Sequence, residues 1–431
     1  MTSPLPEQPN LDPALAAALR RDYERFADGL PPSIEDHLRE YYRLDVGSEY
    51  GGRPIKNPFG KASGQLSLNL PQVRRDAEAG LGFVVLKTFI AQDAAGCQSM
   101  REWAIPETRM EVGPITGADG SEGWTVTWKG RGWYDTFDAY LKLFAESLGV
   151  ARDAGMAVAP SVKYHLPGPG ESEWNTGEYE YTTRRLLDVW QAHGPQSAMP
   201  IEKDFSPTLA GSDLAAQMAT VLEWVRHVTG LIHRAAGDRS SAVGLKIFNA
   251  RFDDEFQLEM LRAINGQSGI AERPEYLIYA NRLFDPQREF HGARGAAYGG
   301  PDLSARNLRI LARLRALEQA GELPVCRIPI SATGNIESGR RAVEYLLRGA
   351  SSFQMHTYFQ LPDGEYRMRR GNKTERALHE LYFNPERGLV AWLLHLRREF
   401  DWPAEWSVKR MAAFCADPAN RLWAEHRPGL S

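Results

Sequence analysis

The chain of 431 residues is poor in cysteine and has no strong excess of either charge. Its three cysteines, Cys97, Cys326 and Cys415, lie far apart, and no CxxC pair occurs. This spacing excludes a disulfide framework and an iron–sulfur cluster held by four cysteines. The formal net charge of −4 gives no global reason to expect a nucleic acid or an anionic membrane as partner.

Long hydrophobic runs and common cofactor or metal motifs are also absent. No apolar run approaches the roughly 20 residues of a membrane span, and the start MTSPLPEQPN lacks the features of a secretory signal. No G-x-G-x-x-G follows a strand, so no nicotinamide-binding Rossmann domain is expected, and the ten histidines form no HExxH spacing. We therefore expect a reduced, soluble, cytoplasmic protein with no metal site and no nucleic-acid partner.

What the chain does contain is a segment, residues 325–357, with the sequence VCRIPISATGNIESGRRAVEYLLRGASSFQMHT. It predicts a strand that ends in a glycine turn, a helix that ends at Gly349, and a second strand that stops at His356-Thr357. Two such strand ends can hold a phosphate on backbone N–H groups, as the loops after strands 7 and 8 of a (β/α)8 barrel commonly do.

From Asn57 onward, apolar runs alternate with helical stretches. The runs that predict strands are Phe59–Ser63, Phe83–Lys87, Val158–Tyr164, Pro200–Phe205, Val243–Phe248, Tyr276–Asn281, Val325–Ser331 and Ser352–Thr357. The stretches that predict helices are 71–79, 135–155, 179–193, 212–236, 254–266, 302–321, 337–348 and 373–399. This alternation predicts the α/β class and a (β/α)8 TIM barrel, with a doubly wound sheet as the alternative.

The pattern divides the chain into three parts. Residues 1–45 predict a disordered start and an N-terminal helical extension, residues 46–400 the barrel, and residues 401–431 a tail that packs on the barrel. We expect the N-terminal helices to cap the barrel floor, or else to form a docking face for a lipid or a partner.

Two long inserts, 91–134 and 165–199, follow strands 2 and 3 and so belong to the face where the chemistry of such barrels lies. Tryptophans in or beside them suggest a lid or an apolar pocket wall, in particular Trp124, Trp128, Trp133, Trp174 and Trp190.

Polar residues occur at nearly every predicted strand end. Lys87 closes FVVLKT and Lys246 interrupts VGLKIF, and a lysine inside an apolar strand is costly to bury unless it faces an anion or a cavity. Either lysine could instead extend to the rim and serve no function. Asn281 lies within a strand where its propensity is poor, which indicates a hydrogen-bonding site residue. Ala62-Ser63-Gly64 would let a flat ligand approach the backbone closely.

Three further residues are open to two interpretations. Ser206, before Pro207, is either a turn former or a proton-transfer group. His165 and His356 lie at strand ends, where each could line the site or make only a local hydrogen bond.

Taken together, several segments resemble the dihydroorotate dehydrogenase family, including the barrel domain of dihydropyrimidine dehydrogenase. The resemblance runs discontinuously from about Leu44 to Thr357, and it is carried by GGRPIKNPFGKASG, EAGLGFVVLKT, VGLKIF, YANRLFDP, GGPDLSARNL and ISATGNIESGRRAVEYLLRGASSFQMHT. It implies a barrel that binds FMN at its C-terminal mouth.

The resemblance also implies a role for individual residues. Ala62, Ser63 and Lys87 would lie along the isoalloxazine ring, with Gly64 and Thr88 in the same cofactor site. Lys246 would approach the N1/O2 edge and stabilise the anionic reduced flavin. The remaining cofactor residues are Asn281 at the ring or ribityl chain, Gly300 beside the cofactor, and Gly334, Asn335, His356 and Thr357 at the phosphate.

The substrate half departs from the family. Its strand-4 motif carries asparagines around a Cys or Ser before Pro, whereas this chain has Lys203-Asp204-Phe205-Ser206-Pro207-Thr208. A pocket built to hydrogen-bond a pyrimidine loses much without those partners, so we expect a substrate other than dihydroorotate. The expected enzyme oxidises or reduces a C–C or C–N bond next to a carbonyl, and Ser206, Lys203, Asp204 or His165 moves a proton.

Two other functions stay open. One is a flavin-free phosphate-binding barrel in which Lys87 or Lys246 forms a Schiff base. The other is a non-catalytic relative that binds a ligand or a protein. For the flavoenzyme, electrons must pass to or from an external donor or acceptor, and a homodimer is the default oligomeric state.

Overall fold

The computed structural model describes residues 5–104, 111–126, 132–168, 170–205, 217–267, 269, 272–290 and 293–420. Its strands are β1 Ser48–Tyr50, β2 Arg53–Ile55, β3 Phe59–Lys61, β4 Phe83–Val85, β5 Phe89–Ile90, β6 Val112–Thr116, β7 Glu122–Val126, β8 Ala157–Ala159, β9 Ser161–Lys163, β10 Met199–Asp204, β11 Ser241–Phe248, β12 Tyr276–Asn281, β13 Leu283–Phe290, β14 Ala293–Tyr298, β15 Ile330–Thr333 and β16 Ala350–Met355.

Ten of these strands form one parallel sheet in the order β5-β9-β10-β11-β12-β15-β16-β3-β4-β8. Strands β8 and β9 are consecutive segments separated only by Pro160. Strand β8 pairs with β4 at one end of the strand order, and β9 pairs with β5 at the other end. The two ends of the sheet are thus joined through β8 and β9. The sheet therefore closes on itself, and the predicted α/β fold with a TIM-type barrel is confirmed.

The helices lie around this barrel. They are α1 Pro13–Arg25, α2 Ile34–His37, α3 Leu70–Glu78, α4 Phe137–Ala154, α5 Thr176–His193, α6 Met218–Ala236, α7 Asp254–Asn265, α8 Pro301–Gln319, α9 Gly339–Leu346, α10 Lys373–Phe383, α11 Leu389–Phe400 and α12 Val408–Ala416. Several begin at a side chain that accepts a hydrogen bond from a first-turn N–H: Asn69, Thr136, Asp253, Ser338 and Asn372.

Three predicted elements need correction. The helix expected over 373–399 is broken between α10 and α11, where the Asn384 side chain accepts hydrogen bonds from the N–H groups of Glu386 and Arg387 and turns the chain. The strand expected from Val325 begins only at Ile330. The tail contains helix α12, although its sequence has no clear periodicity.

The barrel floor is closed by the hairpin of β1 and β2. The Tyr50 ring stacks on Phe83 at 4.1 Å and meets Tyr276 edge-on at 5.1 Å, and both partners are the first residues of barrel strands. The expectation that the N-terminal helices cap the floor is therefore wrong. The buried Tyr50 side chain already fills the space between these strand starts, so a helix cannot occupy it.

The N-terminal helices instead pack on the outer helical layer. Tyr23 of α1 stacks on His379 of α10 at 4.7 Å, and its hydroxyl donates to Glu380 at 3.0 Å. Phe26 meets Phe383 at 4.8 Å. The division into an extension, a barrel and a tail at residues 45 and 400 stays a prediction. Among the described residues, no helix has the length and apolar character needed to cross a membrane.

Two antiparallel hairpins stand at the carboxyl ends of the barrel strands. One, β6–β7, lies in the insert expected after the second strand of the barrel. The other, β13–β14, follows β12 directly and was not predicted. The first hairpin contacts the start of α8 through two hydrogen bonds. The N–H of Gly299 donates to Thr125 Oγ1 at 2.9 Å, and the N–H of Ala118 donates to Asp302 at 2.8 Å.

Candidate active site

A cavity that is open to solvent lies at the carboxyl ends of the barrel strands. It brings together every residue that the sequence analysis assigned to a cofactor: Ala62, Ser63, Gly64, Lys87, Thr88, Lys246, Asn281, Gly300, Gly334, Asn335, His356 and Thr357. Asp204, one of the candidate acid–base groups, lines it as well. These residues are distant in sequence and meet because parallel strands end on one face of the barrel.

The turn after β15 exposes backbone donors to this cavity. Gly334 has a φ of +113° and Asn335 a φ of +49°, so the chain turns sharply before α9. A Cβ at position 334 would lie 2.6 Å from Asn307 Nδ2, so the turn requires glycine on both counts. Within the described part of the chain, the N–H groups of residues 334–337 donate to no acceptor. Consecutive free N–H groups of this kind form an anion-binding concavity.

The end of β16 contributes a second set of donors beside the first. No described residue accepts a hydrogen bond from the N–H groups of His356 or Thr357. The His356 ring is held by a chain of amides: Gln65 donates to Gln360 Oε1 at 2.6 Å, and Gln360 Nε2 lies 2.8 Å from His356 Nδ1. In this arrangement Nδ1 accepts, so Nε2 carries the proton.

The Nε2 atom of His356 is buried and has no partner within the described structure. Burial holds the pKa of His356 well below its usual 6.5, and the positive charges of Arg282 and Lys87 lower the pKa further. The ring is therefore a neutral donor at physiological pH. An orphaned donor of this kind beside free backbone N–H groups fits an acceptor-rich ligand.

The floor of the cavity is a buried polar network centred on Glu202. Lys246 Nζ donates to Glu202 at 3.0 Å and to Ser63 Oγ at 3.3 Å. Glu202 also accepts from Tyr50 at 3.2 Å and from Gln354 Nε2 at 2.8 Å. The network holds Lys246 in place, and it leaves Gln354 Oε1 buried without a partner in the described structure. The floor thus presents both a fixed cation and an unsatisfied acceptor.

A third group of side chains lies around Lys87. Its ammonium has no hydrogen-bond acceptor among the described residues, and burial lowers its pKa to about 8. The carboxylate of Asp204 opposes that shift, whereas the neighbouring charges of Lys163, Arg282 and Lys246 add to it. Thr88 Oγ1 donates to Asp204 at 3.2 Å and lies 3.1 Å from Ser63 Oγ, so it connects this group to the floor.

The hairpins form the roof. Trp124, Thr125 and Val126 of β7 line the cavity, as the expectation of a tryptophan-bearing lid requires. Trp133 packs edge-on against Tyr140 instead. Trp174 packs against Tyr179 and Trp190 against Phe144, and neither lines the cavity. Trp128 lies outside the described residues. Arg282, directly after Asn281, reaches under the roof, where its Nη1 donates to the carbonyl oxygens of Val126 and Ala297 at 3.4 and 3.5 Å.

Two candidate acid–base residues are not brought to the cavity. Lys203 is fully buried on the outer face of β10, because side chains alternate along a strand and its neighbours Glu202 and Asp204 face inward. Its Nζ donates to the carbonyl oxygens of Tyr164 and Asp204. His165 lies beside a separate depression formed by residues 171–177 and accepts a hydrogen bond from the N–H of Asn175 at 3.1 Å.

Ser206, the third candidate for proton transfer, lies outside the described residues together with Pro207 and Thr208. Asp204 is therefore the candidate acid–base group that the described structure brings to the cavity. Within that described part, no cluster of three or more His, Cys, Asp or Glu side chains has the arrangement of a metal site.

Sequence reasoning missed several cavity residues. Lys163, in SVKYH, ends a barrel strand as Lys87 does and would have been found by the same criterion. Arg282 was visible in YANR as a charged residue after an apolar strand. Glu202 and Gln354 carry no such signal, because a single polar residue in a strand does not reveal which face of the sheet it occupies.

Comparison with known proteins adds little to this geometry. No family model matches the chain, and no curated protein matches it. One similar solved structure is that of a dihydroorotate dehydrogenase (DHODH) from Eimeria tenella in complex with ferulenol. It shares 17% sequence identity at a TM-score of 0.47, over 89% of this chain and 97% of that one. At these values the likeness carries no argument about the site.

Proposed function

We propose that the protein is an FMN-dependent oxidoreductase of the dihydroorotate dehydrogenase-like type. It would act on a C–C or C–N bond next to a carbonyl in a small molecule other than dihydroorotate, and exchange electrons with an external donor or acceptor. The observation that carries the proposal is the convergence, in one cavity, of all twelve residues that the sequence analysis assigned to FMN. A cytoplasmic location and a homodimer stay predictions from the sequence.

The donors at one end of the cavity suit the phosphate of FMN. The N–H groups of residues 334–337 and those of His356 and Thr357 offer two converging sets of donors without internal acceptors. Backbone donors bind a phosphate well and add no charge of their own. The neutral His356 ring adds a donor that has no other described partner.

The part of the cavity beside Ala62, Gly64 and Lys246 suits the isoalloxazine ring. When bound there, FMN would supply a centre that accepts or donates hydride. Ala62 and Gly64 present a small surface, and a Cβ at position 64 would lie 2.4 Å from His356. Lys246, held by Glu202 and Ser63, provides a fixed positive charge toward the ring. Gln354 Oε1 offers an acceptor for a ring N–H.

The chain's own acid–base group in this proposal is Asp204. It lines the cavity, and Thr88 Oγ1 donates to it at 3.2 Å, which orients the carboxylate. The Lys87 ammonium is electrostatically coupled to the same carboxylate. Asp204 can therefore hold or release a proton while Lys87 stabilises its ionised form. Ser206 remains a sequence-based candidate for the same role.

The visible spectrum of the purified protein tests the proposal directly. We expect bands near ~375 and ~450 nm, as for an oxidised flavin, and FMN in the supernatant after heat release. Incubation with FMN followed by gel filtration should restore the bands to stripped protein. A colourless protein that takes up no added FMN would refute the oxidoreductase assignment.

The phosphate end has a test of its own in Gly334→Ala. The methyl group would force a φ of +113° on a residue with a side chain and would approach Asn307 Nδ2. We expect a stability loss of about 1–3 kcal/mol and a loss of FMN retention. Gly321→Ala is the matched control, because Gly321 also has a positive φ, +74°, but has open space around it and lies outside the cavity. Equal FMN retention in both variants would contradict the phosphate assignment.

One observation favours a second function. Lys87 has a pKa lowered to about 8 and no hydrogen-bond acceptor among the described residues, so about a tenth of its amine is unprotonated at pH 7. Such an amine can add to a substrate carbonyl and lose water to form an imine, as in a Schiff-base aldolase. Reduction with borohydride in the presence of small aldehydes and ketones would then label Lys87 irreversibly. If no label appears on that residue, the aldolase alternative is excluded for the carbonyl compounds used.

A further inference from the structure

A largely buried arginine in the roof of the cavity has no carboxylate partner among the described residues. Arg282 forms no ion pair within the described structure, and its two hydrogen bonds, at 3.4 and 3.5 Å, both use Nη1 and go to backbone carbonyl oxygens. Its Nε and Nη2 atoms donate to no described residue. A buried guanidinium is costly unless an anion compensates it.

The charges around it do not supply that anion. Four cations line the cavity, Lys87, Lys163, Lys246 and Arg282, against the carboxylates of Asp204 and Glu337. Glu202 lies beneath and bonds Lys246, while Glu337 is approached by Arg387 at 3.7 Å. Among the described residues the site therefore keeps a formal excess of two positive charges, and Arg282 forms no ion pair with Asp204, Glu337 or Glu202.

Arg282 is bonded to the roof of the cavity, whereas the expected contacts to the flavin ring through Lys246 and Ser63 lie in the floor. It is anchored by Val126 of β7 and by Ala297 of β14, the two hairpins above the cavity. The two turns with free N–H groups, after β15 and β16, already offer donors for a phosphate. A molecule that lies between a flavin on the floor and the hairpins of the roof would meet Arg282 first.

Resting on the proposed function, we infer that the substrate carries a carboxylate group and that Arg282 is the residue that recognises it. The planar guanidinium fork matches two carboxylate oxygens. Because the cavity also has to accommodate the cofactor, the substrate is a small molecule. Asp204 and Lys87 line the same cavity and would face the reacting part of that molecule. Arg282 is a specificity-determining residue in this assignment and takes no part in the chemical step.

Calorimetric titration of the purified, FMN-loaded protein tests this inference without needing the true substrate. The probes are benzoate and succinate, compared with the neutral benzamide and succinamide. We expect the carboxylates to bind and the amides to bind at least about tenfold more weakly. In Arg282→Gln the carboxylate affinity should fall by about 10- to 100-fold, while FMN retention stays within about twofold. Arg282→Lys keeps the positive charge and loses the planar guanidinium fork, so its carboxylate affinity should lie between those of the wild type and Arg282→Gln.

Arg288→Gln is the matched control. Arg288 belongs to β13 of the same hairpin and lies over the Tyr298 ring at 4.1 Å, outside the cavity lining, so its variant should bind carboxylates as the wild type does. Inorganic phosphate serves as a further probe, and it should compete with FMN and not with benzoate.

Three results would overturn the inference: carboxylate affinity unchanged in Arg282→Gln, FMN lost from that variant together with the carboxylate, or phosphate displacing benzoate. These measurements distinguish a failure of the flavoenzyme proposal from a failure of the carboxylate proposal. Absence of flavin refutes the oxidoreductase assignment, whereas carboxylate binding that depends on Arg282, measured by calorimetry on flavin-free protein, would still support an anion site in the roof.

Discussion

Lys61 and Lys246 are both buried lysines in barrel strands, and each is paired with a buried carboxylate. Lys61, in β3, contacts Asp76 of α3, and its Nζ also donates to Thr374 of α10 at 3.1 Å. Lys246, in β11, contacts Glu202 and the serine at position 63. The first pair joins the barrel to its outer helices, and the second lies inside the barrel beneath the cavity.

The alternation of side chains along each strand explains why Lys61 faces the outer helices and Lys246 faces the cavity. Gly60 faces inward, because a Cβ there would lie 2.3 Å from the Phe83 ring inside the barrel, so its neighbour Lys61 faces outward. Gly244 also faces inward, where a Cβ would lie 2.2 Å from Tyr276, and Lys246 follows it by two residues and faces the same way. The same residue type in the same kind of strand is thus structural in one place and part of the site in the other.

The largest effect in this comparison should come from Lys61→Ala. Burial lowers the pKa of Lys61 and raises that of Asp76, so desolvation outweighs their attraction and the pair itself adds little stability. Removing one partner nevertheless leaves a buried carboxyl group unpaired. We expect the free energy of unfolding, measured by denaturant titration, to fall by about 4 kcal/mol, with the FMN content of the folded fraction unchanged.

Replacing both partners sharpens this prediction. The double variant Lys61→Met with Asp76→Leu should recover most of the lost stability, because apolar groups of similar size leave no buried charge. If Lys61→Ala instead released FMN from folded protein, the structural assignment of this lysine would be wrong.

Lys246→Ala should reduce stability less than Lys61→Ala does, and it should weaken FMN binding. Glu202 keeps its hydrogen bonds from Tyr50 and Gln354, so part of the carboxylate's stabilisation survives. We expect a smaller stability loss of about 2 kcal/mol and a reduction of FMN affinity of about 10- to 100-fold, measured by equilibrium titration. Flavin affinity equal to that of the wild type would remove Lys246 from the cofactor site.

An effect of the opposite sign, a gain in stability, concerns Lys87, a buried lysine without an ion-pair partner within 4 Å in the described structure. Its folded-state pKa of about 8 lies below the ordinary 10.5. The unfolded chain therefore binds more protons than the folded one between these values, and the contribution of Lys87 to stability rises with pH across this window. Below about pH 8 the full cost of the buried charge is present.

Lys87→Met should accordingly be more stable than the wild type at pH 7, by up to about 3 kcal/mol, and the advantage should shrink as the pH rises toward 10. Thermal unfolding of flavin-free protein at several pH values measures this difference. Lys409→Met is the control, because Lys409 is about half exposed and pairs with Glu49 at 2.6 Å. A difference independent of pH would show that the Lys87 pKa is not depressed.

Sequence reasoning found the cavity residues that follow strands, because a parallel barrel places all such positions on one face. Gly334, Asn335, His356 and Lys87 were identified in this way and do meet. The same reasoning failed for Lys203, which lies on a strand next to two inward-facing acids and points outward. A shift of one residue moves each side chain of a strand to the other face of the sheet. When a strand is apolar throughout and buried on both faces, its sequence does not show which residues face the barrel interior.

The long-range partners were beyond sequence reasoning. Nothing in the chain indicated that Tyr50 would fill the barrel floor beside Phe83 and Tyr276. The amide chain from Gln65 through Gln360 to His356 joins residues some 300 positions apart in sequence. Such contacts depend on how separate elements pack, and no local pattern encodes them.

The alternation of apolar runs and helical periods determined, by itself, the α/β barrel and the set of strand ends that line its mouth. It could do so because local periodicity and the common direction of parallel strands are enough to specify both. Tertiary structure decided the rest: which lysine faces inward, which carboxylate compensates it, and which hairpin covers the cavity above Arg282. These depend on burial and charge, which arise only when distant parts of the chain exclude water from the same place.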